Sequence, residues 1–249
     1  MAKTETQIVE INGTEIAFYP KSHQYRIDKK IIPSVTSILG LIDKSRPLLV
    51  WAENLSRSYL KNFTGAELTE EIIESAVKQY AQKRDDAADT GHQVHDWISQ
   101  FILAKINGTN IPEVNSSMPG EVINGINGFV DWYNSHDVDF CESEKIVYSK
   151  EYNYIGTFDV LMYVDGEFVL GDFKTGRGVY PEFQLQLAAY HQALMEEDKY
   201  TEIQKYMILH FNKEDGSFET VEYVPNKDNF EYFNNLLKLK RFLQSTEGR

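Results

Sequence analysis

Two aspartates and a lysine stand close together in Gly156-Thr157-Phe158-Asp159 and Gly171-Asp172-Phe173-Lys174-Thr175-Gly176. Between them run an apolar stretch from Val160 to Val164, the dipeptide Asp165-Gly166, and a second stretch from Glu167 to Leu170. Asp-Gly between two apolar runs is a strong short-range signal for a β-hairpin. With Asp165 and Gly166 as the loop, Val164 faces Glu167, and counting outward places Asp159 opposite Asp172. Opposed residues on antiparallel strands have Cβ atoms about 4.5–5.5 Å apart, and like charges there repel. Such a pair needs a shared proton or a cation. A divalent ion that prefers oxygen ligands, such as Mg²⁺, is the simplest cation to supply. Lys174 lies two residues beyond Asp172 and shares its face, while Phe173 points the other way. The spacing therefore predicts a carboxylate pair with an ammonium beside it.

The neighbouring elements decide what else reaches that hairpin. Pro181–Met195 has helical spacing and carries Gln186 and Tyr190, four apart and on one face. The short loop Thr175–Tyr180 lets both project back over the carboxylates. Leu68–Ile106 has helical periodicity over a long span, with a break expected near Asp85–Asp89 and an end at Asn107-Gly108. Within it lies Gly91-His92-Gln93-Val94-His95. A glycine inside a helix costs about 1 kcal/mol relative to alanine, which predicts close packing or a break at Gly91.

The remaining elements alternate. Ile8–Ile11 and Thr14–Tyr19 read as a hairpin about Asn12-Gly13, and His23–Ile27 with Ile31–Ile32 as a second short pair. A helical run starts after Pro33, with Ser34 or Thr36 as N-cap. Pro47–Leu60 is helical with Pro47 in its first turn, and Gly120–Asn134 is helical as well. Val138–Tyr148, Tyr154–Val164 and Glu167–Lys174 are strand-like. Ile203–Phe211 and Ser217–Tyr223 are strands about a turn at Lys213–Gly216, and Asn226–Leu243 is a last helix ending in the basic residues Lys238, Lys240 and Arg241. This order predicts a mixed α/β protein with a central mixed sheet flanked by helices.

Composition narrows the function classes. The 249 residues, 42% hydrophobic, suffice for one sizeable core or two small domains. No apolar run approaches the roughly 20 residues of a membrane span, and the first residues lack the apolar segment of a secretory signal. A cytoplasmic, reduced setting is the expectation. Cys141 is the one cysteine, which excludes an internal disulfide, a cysteine-rich zinc site and an iron–sulfur cluster. The formal net charge of −13 argues against a protein that coats nucleic acid in general, but not against an enzyme with a local basic channel. The acidic stretches Glu67–Glu74 and Glu196–Asp198 read as solvated faces.

Other motifs carry less. Gly171–Gly178 does not match a P-loop, and His92 with His95 lacks the spacing of a zinc protease. Trp51, Trp97 and Trp132 read as core residues rather than stacking platforms, and His92 as exposed.

Taken in order, Gly91-x-x-x-His95, Gly156-x-x-Asp159, Asp172-x-Lys174-Thr175-Gly176 and Gln186-x-x-x-Tyr190 resemble the RecB-type branch of the PD-(D/E)XK nuclease superfamily. His23-x-Tyr25, Pro33-Ser34-Val35-Thr36-x-Ile38-Leu39 and Leu49-x-Trp51-Ala52 look like phage-encoded, exonuclease-like members of that branch. The resemblance implies one nuclease domain over residues 1–249, with an N-terminal β-hairpin and helical elaboration over about 1–65 and a restriction-endonuclease-like catalytic core over about 85–225. It implies that His95, Asp159, Asp172 and the backbone carbonyl of Phe173 bind one or two Mg²⁺ or Mn²⁺ ions. Lys174 would position or activate the attacking water and stabilise charge on the phosphate, and Gln186 and Tyr190 would orient Lys174 or touch the DNA backbone. Members often carry a further glutamate before the first aspartate strand; Glu142, Glu144 and Glu151 compete for that role, with Glu144 preferred. Arg177, Lys150 and Arg84 are candidate DNA contacts, with Lys44, Arg46, Arg57 and Lys83 on the rim of a basic groove.

The implied activity is metal-dependent phosphodiester hydrolysis on DNA, by an exonuclease acting on single strands or duplex ends in recombination, replication or repair, with a recombination or replication protein as partner. The alternatives are a non-catalytic DNA- or protein-binding module on the same fold, and an RNA-directed nuclease.

Overall fold

A computed structural model describes residues 6–197, 202–212 and 217–246. The chain opens with a four-stranded antiparallel meander, β1 (Gln7–Ile11), β2 (Thr14–Tyr19), β3 (Gln24–Ile27) and β4 (Lys30–Ile32). Three helices follow: α1 (Val35–Leu39), α2 (Ser45–Lys61) and α3 (Glu70–Asn107). After α4 (Gly120–Ser135) comes the second sheet, β5 (Val138–Ser149), β6 (Tyr154–Val164) and β7 (Glu167–Gly176), then α5 (Glu182–Met195), β8 (Lys205–Asn212), β9 (Phe218–Tyr223) and α6 (Lys227–Thr246). The protein is mixed α/β, as expected, with the N-terminal strands in a sheet of their own beside the central mixed one. The expected turn at Lys213–Gly216 lies outside the described residues, as does Asp198.

The second sheet has the order β5-β6-β7-β8-β9. All neighbours are antiparallel except β7 and β8, which α5 joins as a parallel crossover. Helices cover both faces, as strands buried on both sides require. On one face Ile98, Phe101 and Ile102 of α3 and Ile126 and Phe129 of α4 pack on Val160, Met162, Val169 and Leu209. On the other, α1, α5 and α6 bring Val35, Ile38, Leu187, Tyr190 and Phe233 onto Leu161, Leu170 and Ile208. This is the arrangement expected of a restriction-endonuclease-like core.

The β6–β7 hairpin closes on Asp165 and Gly166, both with positive φ (50° and 84°), the two-residue turn whose twist matches its strands. Pairing runs in the expected register from Val164–Glu167 to Val160–Gly171 and stops there. Beyond that rung β6 stays with β5 as far as Tyr154, while β7 stays with β8 as far as Gly176. The sheet forks, and Asp159 and Asp172 are the first residues inside the fork. They are therefore not a regular opposed pair. The alternation of β6 slips here too, since Phe158 and Leu161 join one core and Val160 the other.

α3 runs unbroken through Asp85–Asp89, contrary to the expected interruption. The acidic run does not stop the helix because its charges stay at the surface, where Arg84 pairs with Asp85 at 2.8 Å. Thr69 caps its start and Gly108, in the left-handed conformation, ends it. Gly91 answers to packing: a Cβ there would fall 2.5 Å from Thr175 Oγ1. The meander packs Ile16, Tyr25 and Ile32 onto Tyr148 and Ile155, at the ends of β5 and β6 beyond the fork, and Ile155 N–H donates to Pro33 O at 3.1 Å. Among the described residues no helix is long and apolar enough to cross a membrane.

Candidate metal centre

The fork sets the site's geometry. The Phe173 amide faces β6 just past the last rung, and it donates to Asp159 Oδ2 at 2.7 Å. The carboxylate takes the place of a strand carbonyl and is held in the gap. Asp172, 1% exposed, turns toward α5, where Gln186 Nε2 donates to its Oδ1 at 3.0 Å and also to Tyr190 Oη at 3.0 Å. Lys174 contacts Asp172 Oδ2 from the same strand face, with its ammonium 5.1 Å from the Phe183 ring centre.

From the opposite layer α3 delivers His95. Its Nε2 lies 3.0 Å from Asp159 Oδ2 and its Nδ1 3.4 Å from Glu144 Oε1. The ring meets Phe173 edge-on at 5.5 Å. One turn along the helix, Ser99 Oγ donates to Glu144 Oε1 at 2.9 Å. Glu144 has φ of 52°, and among the described residues it is the non-glycine residue in the left-handed region that lies in a strand rather than a turn. Such a conformation costs on the order of 1–3 kcal/mol and persists only where its surroundings hold it. The pairing shift between Phe140 and Glu142 precedes it on β5.

These groups share a cavity of about 210 Å³ whose walls include His95, Glu144, Asp159, Asp172, Lys174 and Gln186. Of the three competing glutamates, Glu144 is in the cavity. Glu142 lies 3.8 Å from Lys145, and Glu151 is exposed at the β5–β6 turn.

The charges are strongly coupled. Burial works to raise the Asp159 carboxyl, but the His95 charge and hydrogen bond outweigh it, with help from Lys174 and the Phe173 amide, and hold it below its ordinary value. Burial pushes Asp172 up to about 7, against the opposing pull of Lys174 and with the charge of Asp159 adding to it. Burial also raises Glu144. The His95 imidazole would be lowered by burial, yet the charge and hydrogen bond of Asp159, then Glu144 and Asp172, lift it to about 9. An imidazolium thus offsets part of the carboxylate repulsion where a metal ion would do so.

The donor set fits a divalent cation. His95, Glu144 and Asp159 each offer one ligand atom, all within 4.8 Å of one another, and Asp172 adds a carboxylate in the same cavity. One nitrogen with several carboxylate oxygens is a donor set that divalent cations take.

Several expected roles change. The hydrogen bonds of Gln186 go to Asp172 and Tyr190 rather than to Lys174. Tyr190 is 2% exposed, and its hydroxyl meets Gln186 in the wall of the cavity. Lys150 sits at the β5–β6 turn, six residues from Glu144, about 20 Å along an extended strand; its amide donates to Glu196 at 2.7 Å. Glu196 also accepts from Ser149 at 2.6 Å, so it braces that turn instead of forming a solvated face. Arg84 pairs with Asp85 on the exposed flank of α3. Lys240 and Arg241 tie α6 to the backbone of Ser37 and Asn153 at 2.7 and 3.2 Å instead of forming a basic patch. Arg177 lies over the half-buried Trp51, 5.8 Å from its ring centre, beside a groove that Arg46 also lines. Trp97 and Trp132 are core, and His92 is exposed. Ser99 escaped notice although it lies four residues after His95, the spacing of a shared helix face.

No protein-family model matches the chain, and neither does any curated protein. Solved structures do. A candidate exonuclease from Eubacterium rectale aligns over 82% of this chain and 85% of its own, at 14% identity and a TM-score of 0.42. An alkaline exonuclease from Laribacter hongkongensis aligns over 61% and 79%, at 12% identity and a TM-score of 0.33. The protein SSO0001 aligns at 14% identity and a TM-score of 0.32 over 51% of this chain; the chain spans 59% of that protein's length.

Proposed function

We propose that the protein is a metal-dependent nuclease of the PD-(D/E)XK type that hydrolyses phosphodiester bonds in DNA. The observation that carries this reading is the convergence of His95, Asp159, Asp172 and Lys174 on one cavity, from three elements and both faces of a forked sheet. The four motifs that resemble the RecB-type branch all have a residue in this cluster or directly behind it.

His95, Glu144, Asp159 and Asp172 would hold one or two Mg²⁺ or Mn²⁺ ions, with the Phe173 carbonyl as a further ligand. When bound, such an ion neutralises phosphate charge and lowers the pKa of a coordinated water. Lys174 places a positive charge where negative charge grows on the phosphate, the kind of preorganised contact that stabilises a transition state. Gln186 fixes the Asp172 carboxylate from behind, and Tyr190 fixes Gln186. The buried walls keep bulk water from screening these charges. The resemblance extends the reading to an exonuclease on DNA ends or single strands, in recombination, replication or repair, with a partner protein to offset the −13 net charge that opposes DNA approach.

The test is a time course on end-labelled linear and circular DNA, single- and double-stranded, beside matched RNA, with Mg²⁺, Mn²⁺ or EDTA. Cleavage of DNA with metal and none with EDTA is expected. Binding of DNA without cleavage under every condition would instead identify a non-catalytic module.

A further inference from the structure

The metal cavity has a wall that the four motifs do not account for. His23, at the tip of the β2–β3 turn in the N-terminal meander, lines it together with Asp159, Asp172 and Lys174. His23 stands in the left-handed region with φ of 48°, in a turn closed by its own N–H to Pro20 O at 3.3 Å. The comparable turn positions Asn12, Asp28, Asn153 and Asp165 are also left-handed. His is enriched in this backbone together with Asn and Asp, so the turn accepts it without special strain. At position 23 the turn carries an imidazole, and the residue lines the cavity.

The ring is also aimed. It meets Phe18 edge-on at 5.4 Å and Tyr25 at 5.8 Å, and Phe18 and Tyr25 stack on each other at 4.7 Å. The Tyr25 hydroxyl is 2.7 Å from Thr157 Oγ1, two residues before Asp159 on β6. The meander is thereby keyed to the strand that carries the first aspartate, and His23 is held on the open side of the cavity by a rigid aromatic pair. A preorganised donor of this kind is what phosphate recognition uses.

We infer that His23 is a substrate-contacting residue of this cavity, donating a ring N–H to the phosphodiester that lies over Asp159, Asp172 and Lys174. This rests on the nuclease reading above. It makes the N-terminal meander part of the active site rather than an elaboration beside it.

Three variants test it. His23→Phe keeps the ring packing on Phe18 and Tyr25 and removes the donor. His23→Asn keeps a donor and suits the left-handed backbone. His23→Ala removes both ring and donor. Binding of a fluorescein-labelled single-stranded oligonucleotide is measured by anisotropy in the Lys174→Ala background with Ca²⁺. KM and kcat are measured with Lys174 intact and Mg²⁺. Mn²⁺ affinity is followed by calorimetry. His23→Phe is expected to weaken oligonucleotide binding and raise KM about tenfold, with Mn²⁺ affinity and melting temperature unchanged, and His23→Asn to recover part of the loss. Wild-type binding and KM in His23→Phe would overturn the inference and leave the nuclease reading standing. Wild-type protein that neither binds nor cleaves the strand would overturn both.

Discussion

A Cβ atom at Gly91 would lie 2.5 Å from the Thr175 hydroxyl, so α3 and the end of β7 touch through the absence of a side chain. The contact is one residue from Lys174 and one helical turn from His95. It sets how closely the histidine layer approaches the aspartate layer.

Gly91→Ala should therefore separate stability from function. Alanine gains about 1 kcal/mol of helix propensity, against an overpacking cost of about 1–3 kcal/mol. The net change in stability is small, a loss of up to about 2 kcal/mol. Mn²⁺ affinity should fall further, because His95 and Asp159 are pushed apart. Adding Thr175→Ala removes the clash and should restore metal binding, a coupling that a double-mutant cycle by calorimetry would measure. Additive losses would show that the contact does not govern the site.

Lys174→Ala should lower the cleavage rate by at least about 100-fold, the scale for loss of one preorganised charge contact in the transition state. Folding should survive, since Lys174 is half-buried at the cavity mouth. Removing it takes away the positive charge that opposes the upward shift of Asp172, so that carboxyl should rise from about 7. Its titration by NMR is the check. A variant with undiminished cleavage would end the role assigned to Lys174.

Much of this site is legible in the sequence where local chemistry decides. Asp165-Gly166 predicts its own turn, the turn sets the register, and the register brings Asp159 and Asp172 to the same depth. What the count misses is the fork: nothing local tells β6 to leave β7 after Val160, because that depends on β5 and β8 holding their own partners. Glu144 is ambiguous for a related reason. The pairing shift after Phe140 and its own left-handed φ both break the period of two on which facing is counted. His23 stands out in the sequence only as part of His23-x-Tyr25, and its place is hidden by distance, since 136 positions separate it from Asp159 and only the docking of the meander on β5 and β6 brings them to one cavity. The unbroken α3 shows the opposite error, a surface charge cluster read as a boundary.

Gln186 and Tyr190 predict a graded pair. Tyr190→Phe leaves one buried N–H of Gln186 without its acceptor, at a cost of about 1–3 kcal/mol, while the bond to Asp172 remains. Gln186→Leu removes the donor from the Asp172 carboxylate itself. Cleavage should fall modestly in the first and more steeply in the second, in kcat rather than KM, because the hydrogen bonds of both lead to the Asp172 carboxylate. Chemical denaturation with steady-state kinetics would test the order. A larger rise in KM than fall in kcat for Tyr190→Phe would contradict its buried, indirect position.

Three groups of the site, Asp172, Glu144 and His95, are raised, and they make the stability of the metal-free protein depend on pH. A group whose pKa is higher in the folded state binds extra protons there, and the stability this confers is lost as pH rises through the folded value. For Asp172 the window runs from its ordinary 3.8 to about 7. For His95 it runs from 6.5 to about 9. Asp159, lowered by His95, has the opposite sign, and its contribution is lost only as pH falls below the ordinary carboxylate range. Without metal, the site should thus cost stability as pH rises to about 9, while His191, lowered by burial to about 4, costs stability as pH falls below 6.5; the melting temperature should therefore fall between about pH 7 and 9 and also drop in acid. A divalent ion needs the His95 and Asp172 lone pairs that the protons occupy, so binding must release protons. About two should leave at pH 6, where both groups carry one, and about one at pH 8, where His95 alone does. Calorimetry in buffers of different ionisation enthalpy counts them directly. Affinity for Mn²⁺ should climb with pH over the same range, and in His95→Ala the proton released at pH 8 should come instead from the carboxyls that His95 holds down. Metal binding without proton uptake or release at either pH would place the ion away from His95 and Asp172.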